Sequence, residues 1–331
     1  MNKKFKVSVV GCGRIARAVT YYFEQYPFVE KVSFLEKDTQ ARDCDLLIGA
    51  LAGEIGKKCL ELALRYKKNL IDISDIDPPE YLKKEKQIKK RGILVVPGCG
   101  FSTGLVNFIL GRAIHESPGI RDIEVKAGSL SPKKFFYPFL WCFEDIIVEH
   151  TIGSWQIVCG KKKKFPVFDG YRREKLFGID AESYYCASGF ENILDKKKLS
   201  NLIVRVARPL GFRDFFRFIQ EAGFINKKNL LTTKNILESR REDNITFAHV
   251  DIFGRNNKER WLIKSFSQGN DKLNSMQKIT ASFPAAVGKL VLGGTIKQKG
   301  LLFLDELAKD DAIFDRLLKE TRKKGIKISR D

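Results

Sequence analysis

A chain of 331 residues, 44% apolar and 30% charged, is long enough for two folded domains and has the balance of a soluble globular protein. No run approaches the ~18 apolar residues of a membrane span, and the basic start Met1–Lys6 leads into an apolar run too short for a signal peptide, so a cytoplasmic location is expected. Seven cysteines, at positions 12, 44, 59, 99, 142, 159 and 186, exclude a recognisable zinc motif by their spacing and argue against a disulfide framework by their odd number.

The formal net charge of +20 gathers in three patches, Lys83 to Arg91, Lys161 to Lys164 and Arg322 to Arg330. They read as a solvated amphipathic helix, a hairpin tip and a tail. A basic surface can also funnel an anionic substrate and cofactor. Nucleic acid is not an expected partner, because no nucleic-acid-binding module accompanies the charge.

In chain order, Lys6 to Val10 predicts a strand that breaks at Gly11 and Gly13 and runs into a helix with Ile15, Val19, Tyr22 and Phe23 at helical spacing. This is the pattern of a dinucleotide-binding turn, with Gly11, Gly13, Arg14, Ile15 and Ala16 as its residues. Gly11 permits the tight turn, Gly13 lets a pyrophosphate approach, Ala16 keeps the helix close to the sheet, and the helix N-terminus faces the anion. A second strand, Val32 to Leu35, ends on Glu36, which lies 23 residues beyond Gly13, at the position of the ribose-binding acid. Glu36 favours the free 2′-hydroxyl of NAD over the phosphate of NADP, and the neighbouring Lys37 weakens that preference.

Only Lys37 to Cys44 separate Glu36 from the next strand, Leu46 to Ala50. Eight residues are too few for a helical crossover, which needs about a dozen, so an extended return is expected. One β-α unit beside the adenosine half of the cofactor should then be missing, leaving a strand edge exposed or covered by another part of the chain. A helix with Ile55, Cys59, Leu62 and Tyr66 on one face follows, then a strand at Leu70 to Ile73, a lysine-rich helix opened by Pro78 and Pro79, and a strand at Ile93 to Val96. Five apolar strands alternating with helices predict an α/β, Rossmann-like, doubly wound parallel sheet. Asp72, Cys99, Gly100 and Phe101 follow strand C-termini, where such sheets bind ligands.

From about Ile120 a second α/β domain on a mostly antiparallel sheet is expected: strands at Asp122 to Ala127, at Gln156 to Val158 with Phe165 to Phe168 across the lysine turn, and at Asn244 to Phe253 with Arg260 to Phe266 across Arg255 to Asn257. Helices are expected at Phe212 to Ala222 and from Met276 onward. The expected domains are 1–118 for the dinucleotide, 119–274 for substrate and dimerisation, and 275–331 as helices packing back on the first.

Five blocks together resemble the saccharopine dehydrogenase family in its broad sense, with saccharopine reductases, lysine 6-dehydrogenases and carboxynorspermidine dehydrogenases. They are Gly11 to Ala16, Asp45 to Leu51, Val96 to Leu105, Trp141 to Glu144 with Glu149, and Ala281 to Val287. The resemblance implies a cofactor, NAD or NADP, over Gly11 to Ala16 and along Ala50 and Leu51, with a small amino-acid substrate in the crevice between domains. It implies hydride transfer at a carbon–nitrogen bond of an amino acid or imine, and a homodimer. The alternative is a non-catalytic descendant that keeps the fold as a binding or scaffold protein.

Three residues are candidates for catalysis: Asp72 to orient a substrate amine, or simply to end its strand; Cys99 as a reactive or a buried thiol; and His150 as a proton shuttle or a packing residue. Gly100, Phe101, Trp141 and Glu144 are candidates for holding substrate, the last two as an aromatic wall and an amine-binding carboxylate. His115 and His249 are expected to be structural. Ser102 and Thr103 stand where the family commonly has an Asp-Pro pair, and no arginine for a substrate carboxylate stands near Ala127 to Ser131.

Overall fold

The computed structural model describes residues 3–74, 76–117, 119–186, 190, 193, 199–254 and 258–331. The chain divides into two compact units. The first takes Met1–Pro118, Gly189–Lys196 and Gln277–Ile326, and the second takes Gly119–Ser188, Lys197–Met276 and Lys327–Asp331. Among the described residues no helix is long and apolar enough to cross a membrane.

The first unit is built on a six-stranded parallel sheet in the order β14-β5-β4-β3-β1-β2. Its strands are β1 (Phe5–Val10), β2 (Val29–Phe34), β3 (Leu46–Gly49), β4 (Asn69–Asp72), β5 (Leu94–Val96) and β14 (Gly300–Leu301). The continuous apolar runs of β1, β3 and β5 are buried because helices cover both faces of the sheet. Two readings need amending. A sixth strand, β14, pairs with β5, and at two residues it is too short to leave a sequence pattern. The crossover from β2 to β3 is a 3-10 helix, Asp38–Asp43, rather than an extended segment. It is pinned by Gln40, whose side-chain oxygen accepts the backbone N–H groups of Glu36 (2.9 Å) and Lys37 (3.0 Å). The missing β-α unit leaves β2 as the edge strand.

Helix α1 (Arg14–Phe23) buries Ala16, Ala18, Val19, Tyr22 and Phe23. Helix α2 (Lys57–Tyr66) buries Cys59 and Leu62 and ends on Lys67 in the left-handed region. Ile55, expected on the same face, precedes the helix in a 3-10 turn and is 65% exposed. Pro78 and Pro79 open α3 (Pro78–Leu82), where their missing N–H groups cost nothing; α4 (Glu85–Arg91) and α5 (Leu105–Glu116) follow. The helix Ser275–Leu292 packs on α1: Gly288 leaves room for the Phe23 ring, and the Tyr26 hydroxyl donates to the Ala285 carbonyl (3.1 Å). Phe108 of α5 stacks on Phe314 and meets Phe283 at a tilt.

The second unit holds a nine-stranded sheet, β15-β13-β12-β6-β11-β10-β9, with β7 pairing β11 and β8 beside β7. It is antiparallel except between β6 (Asp122–Leu130) and β11 (Asn201–Pro209). β12 (Asn244–Phe253) and β13 (Lys258–Ser267) form the expected hairpin, whose turn at 255–257 lies outside the described residues. β7 (Ser154–Val158) meets β8 (Lys161–Phe165) through Cys159 and Gly160, both at positive φ, as a two-residue hairpin turn demands. The four lysines are therefore the body of an edge strand, not the hairpin tip, and their charge blocks pairing with another chain.

Strands β9 (Arg172–Leu176), β10 (Ile179–Tyr185) and β11 were not anticipated. The basic tail is also a strand: β15 (Lys327–Arg330) pairs with β13, so the segment expected among the C-terminal helices belongs to the second unit's sheet. Helix α6 (Phe143–Glu149) and the helices Phe212–Glu221 and Leu230–Ser239 lie with one face of the sheet, sharing a core of Phe139, Phe143, Tyr184, Val206, Phe212 and Phe216.

Candidate functional site

In the first unit the glycine turn closes in a way that separates the roles of its two glycines. Gly11 has φ +118°, and any Cβ there would run into the backbone carbonyl of Ala50, whose own N–H bonds Val10 (2.9 Å). Gly13 has ordinary backbone angles (φ −70°) and open space around it: no heavy atom lies within 4 Å of where a Cβ would be. Gly13 is the N-cap of α1, with no side-chain cap and no acidic residue in the first turn. The N–H groups of Arg14, Ile15 and Ala16 thus stand at an uncapped, electropositive helix end, which fits a pyrophosphate. Arg17 fixes the turn by donating its Nε–H to the Cys12 carbonyl (3.0 Å), and Gln277 donates to the Arg14 carbonyl (3.1 Å). Glu36 is exposed at the end of β2, and Ala50 and Leu51 sit half-buried beyond β3.

Asp72 is fully buried at the end of β4, and both of its oxygens are engaged. Oδ1 accepts the Ser74 N–H (2.9 Å) and Oδ2 accepts the Tyr81 hydroxyl (2.8 Å). Burial raises its pKa against these hydrogen bonds. Ser74 Oγ accepts the Leu51 N–H (3.3 Å), so the carboxylate supports the loop after β3 through its neighbour. The Cys99 thiol is fully buried and pushed well above its usual pKa by burial and by the Asp72 charge, which keeps it protonated and unreactive. Gly100 and Phe101 form the turn into α5, their carbonyls accepting the N–H groups of Leu105 (3.1 Å) and Val106 (3.0 Å), and the Phe101 ring is buried. Gly104 (φ +136°) lies so close to the Gly100 carbonyl that no side chain fits there.

In the second unit His150 is also buried, at the C-terminal end of α6. Nδ1 donates to the Ile146 carbonyl (2.7 Å) and Nε2 accepts the Tyr184 hydroxyl (2.8 Å), while Phe168, Phe212 and Phe216 surround the ring. This leaves no free nitrogen for a proton shuttle. Burial pushes the imidazole down to about 4 and keeps it neutral. Because the unfolded chain takes up the proton first, near pH 6.5, stability is full above that value and falls as pH drops toward 4. The loss should reach about 3 kcal/mol. Urea unfolding of wild type and His150→Gln at pH 7 and pH 4 should show the wild type losing that much more than the variant; equal losses would remove His150 as the cause.

Glu144 is held by Lys234, whose ammonium lies 2.8 and 3.0 Å from its two oxygens. Burial raises the Glu144 pKa, but the ammonium outweighs it and the net shift is downward. The carboxylate expected to bind a substrate amine already carries one of the protein's own. Trp141 is half-buried, and the guanidinium of Arg208 lies 5.0 Å from its ring centroid and 5.3 Å from that of Phe212. Arg208 is 1% exposed and pairs through Nη2 with Glu149, while its Nε and Nη1 have no hydrogen-bond partner. A buried charged donor left unpaired is costly, and in a native protein such a group calls for an explanation.

The structure therefore brings together Gly11, Gly13, Arg14, Ile15, Ala16, Ala50 and Leu51 around one turn, and Trp141 with Arg208 around another centre. Asp72, Cys99 and His150 are packed into the two cores. Sequence reasoning missed Arg208. Its signal was present as two arginines, Arg205 and Arg208, inside the otherwise apolar run of Leu202 to Leu210.

The first unit's parallel sheet and glycine turn, with the second unit's mostly antiparallel sheet, define a Rossmann-like α/β fold. The chain resembles the apo saccharopine dehydrogenase (L-Glu forming) of Saccharomyces cerevisiae, with a TM-score of 0.77 and 15% identity over 99% of each chain. The DAP dehydrogenase of C. glutamicum in complex with DAP aligns at a TM-score of 0.48 and 12% identity, over 96% of this chain and 99% of that one. At these identities the likeness is one of fold. No family model matches the sequence.

Proposed function

We propose that the protein is an NAD(P)-dependent oxidoreductase that transfers a hydride at a carbon–nitrogen bond of an amino acid or imine. The observation that carries this reading is the uncapped N-terminus of α1, open at Gly13 and closed at Gly11. In this reading residues 1–118 hold the cofactor and residues 119–274 the substrate. The N–H groups of Arg14, Ile15 and Ala16 hold the pyrophosphate, Ala50 and Leu51 line its path, and Glu36 accepts from the ribose hydroxyls, which favours NAD. When bound, the nicotinamide supplies or accepts the hydride. Arg208 offers its unpaired Nε–H and Nη1–H to a substrate carboxylate, and Trp141 covers that contact and excludes water. Asp72 acts as a positioning residue, holding the loop at Leu51 through Ser74. A homodimer through the second unit accompanies this reading, supported by Phe266 (56% exposed) and Phe177 (39% exposed) on its sheet.

A second reading, a scaffold protein that has lost the cofactor, is favoured by the bare edge of β2, where the adenosine side lacks a β-α unit. Quenching of the three tryptophans on titration with NADH and NADPH separates the two. Saturable binding, tighter for NADH, is the expected result, and lysine, saccharopine and polyamine precursors are then the substrates to screen. Failure of both cofactors to bind would leave the scaffold reading.

A further inference from the structure

The first unit holds a cavity away from the glycine turn. It opens beside Phe5, the first residue of β1, about 20 Å along that strand from Gly11 by the rise per residue. Its volume of about 630 Å³ is within the range of small-molecule sites. The floor is apolar: Phe5 and Phe28 meet edge to face (6.3 Å between centroids), with Leu290 and Leu292 beside them. The rim is cationic, with Lys3, Lys289, Arg316, Lys319 and Lys323 around it, and Glu320 is the one carboxylate in the lining.

This arrangement follows from the helix Asp311–Arg322. Ile313, Phe314, Leu317 and Leu318 bury one face, which turns Arg316, Lys319, Glu320 and Lys323, at i, i+3, i+4 and i+7, to the cavity. Glu320 is occupied by Lys289 (2.7 Å) and Lys323 (2.8 Å). Arg316 donates only weakly to the Thr295 hydroxyl (3.4 Å), and Glu320, its neighbour at i+4, pairs with Lys289 and Lys323 instead. The carbonyls at the end of the helix Ser275–Leu292, which would repel an anion, are satisfied by the N–H groups of Gly293, Gly294 and Thr295.

We propose that this cavity is a second ligand site, separate from the glycine turn, for a polyphosphate ester carrying a planar aromatic group, such as a nucleoside triphosphate. The ring lies on Phe5, Phe28 and Leu290, and the phosphates meet Arg316 and Lys319, with Lys3 and Lys323 beside them. A purely inorganic anion would leave the apolar floor unused, and an uncharged aromatic would leave the rim unpaired.

Calorimetric titration of ATP into the wild type and into Gly13→Glu, whose dinucleotide turn is blocked, tests the site independently of the oxidoreductase reading. Equal saturable binding to both is expected. It should weaken at least roughly tenfold in Arg316→Gln/Lys319→Gln, two surface changes that leave the thermal midpoint unchanged, and weaken again as salt is raised. Inorganic triphosphate should bind at least roughly tenfold less tightly than ATP. Three results would overturn the proposal: no heat with millimolar ATP, binding lost in Gly13→Glu and kept in the double variant, or triphosphate binding as tightly as ATP.

Discussion

Gly13→Glu should weaken NADH binding by at least about a hundredfold and leave the thermal midpoint where it is. Gly11→Ala, a smaller change two residues away, should cost the fold instead. The difference is geometric. Gly13 has a backbone conformation open to any L residue and empty space in front of it, so a glutamate is tolerated by the fold while it fills the cradle and sets a negative charge where the pyrophosphate belongs. Gly11 combines φ +118° with a clash against the Ala50 carbonyl, and Ala50 is hydrogen-bonded to Val10 at the end of β1. Relieving that clash means separating β1 from β3, at a cost of at least about 3 kcal/mol. Cofactor titration and thermal melting of both variants decide the matter. A Gly13→Glu protein that still binds NADH as the wild type does would place the cofactor elsewhere, and a fully stable Gly11→Ala would contradict the turn geometry.

The second large effect is expected at Arg208. Once a substrate is identified, Arg208→Met should raise KM for a carboxylate-bearing substrate by roughly a hundredfold, from the loss of charge-assisted hydrogen bonds worth about 1.5–3 kcal/mol each. The stability of the same variant should fall by no more than about 1 kcal/mol. The unpaired Nε–H and Nη1–H already burden the unliganded fold, and their removal offsets the lost contact with Trp141 and Phe212. Glu149, part-exposed, can take water in place of its lost partner. Arg208→Lys keeps the charge but not the planar fork, so it should recover little of the lost affinity. A strongly destabilised Arg208→Met with unaltered KM would make Arg208 a packing residue.

The glycine turn was legible because it is local: the strand, the two glycines and the helical spacing from Ile15 to Phe23 occupy fewer than twenty residues. Apolar runs such as Leu46–Gly49 likewise announce buried parallel strands whatever surrounds them. The second unit hid more. β9 reads Arg-Arg-Glu-Lys-Leu and takes its strand form from pairing with β10, while β11 carries two arginines that break its apolar run. The Cys159-Gly160 and Phe177-Gly178 pairs, all at positive φ, were the readable marks of the hairpins on either side. Arg208 could not be joined to Trp141 from sequence, since their contact depends on where β11 sits in the sheet. The same distance hid the fate of His150, which Tyr184 and the helix Phe212–Glu221 enclose.

Both units draw on the far end of the chain, and the ribosome delivers that end last. β1 through β5 and α1 emerge within the first hundred residues, but the helix Ser275–Leu292 that packs against Phe23 and Tyr26 follows only after the whole second unit has been synthesised. The edge of β13 waits longer still, for β15 at Lys327–Arg330. A nascent chain of two hundred residues therefore displays the aromatic face of α1 uncovered. The order of emergence sets how long that face needs the shelter of a chaperone, and a pause in translation before residue 275 would lengthen the exposure without changing a single native contact.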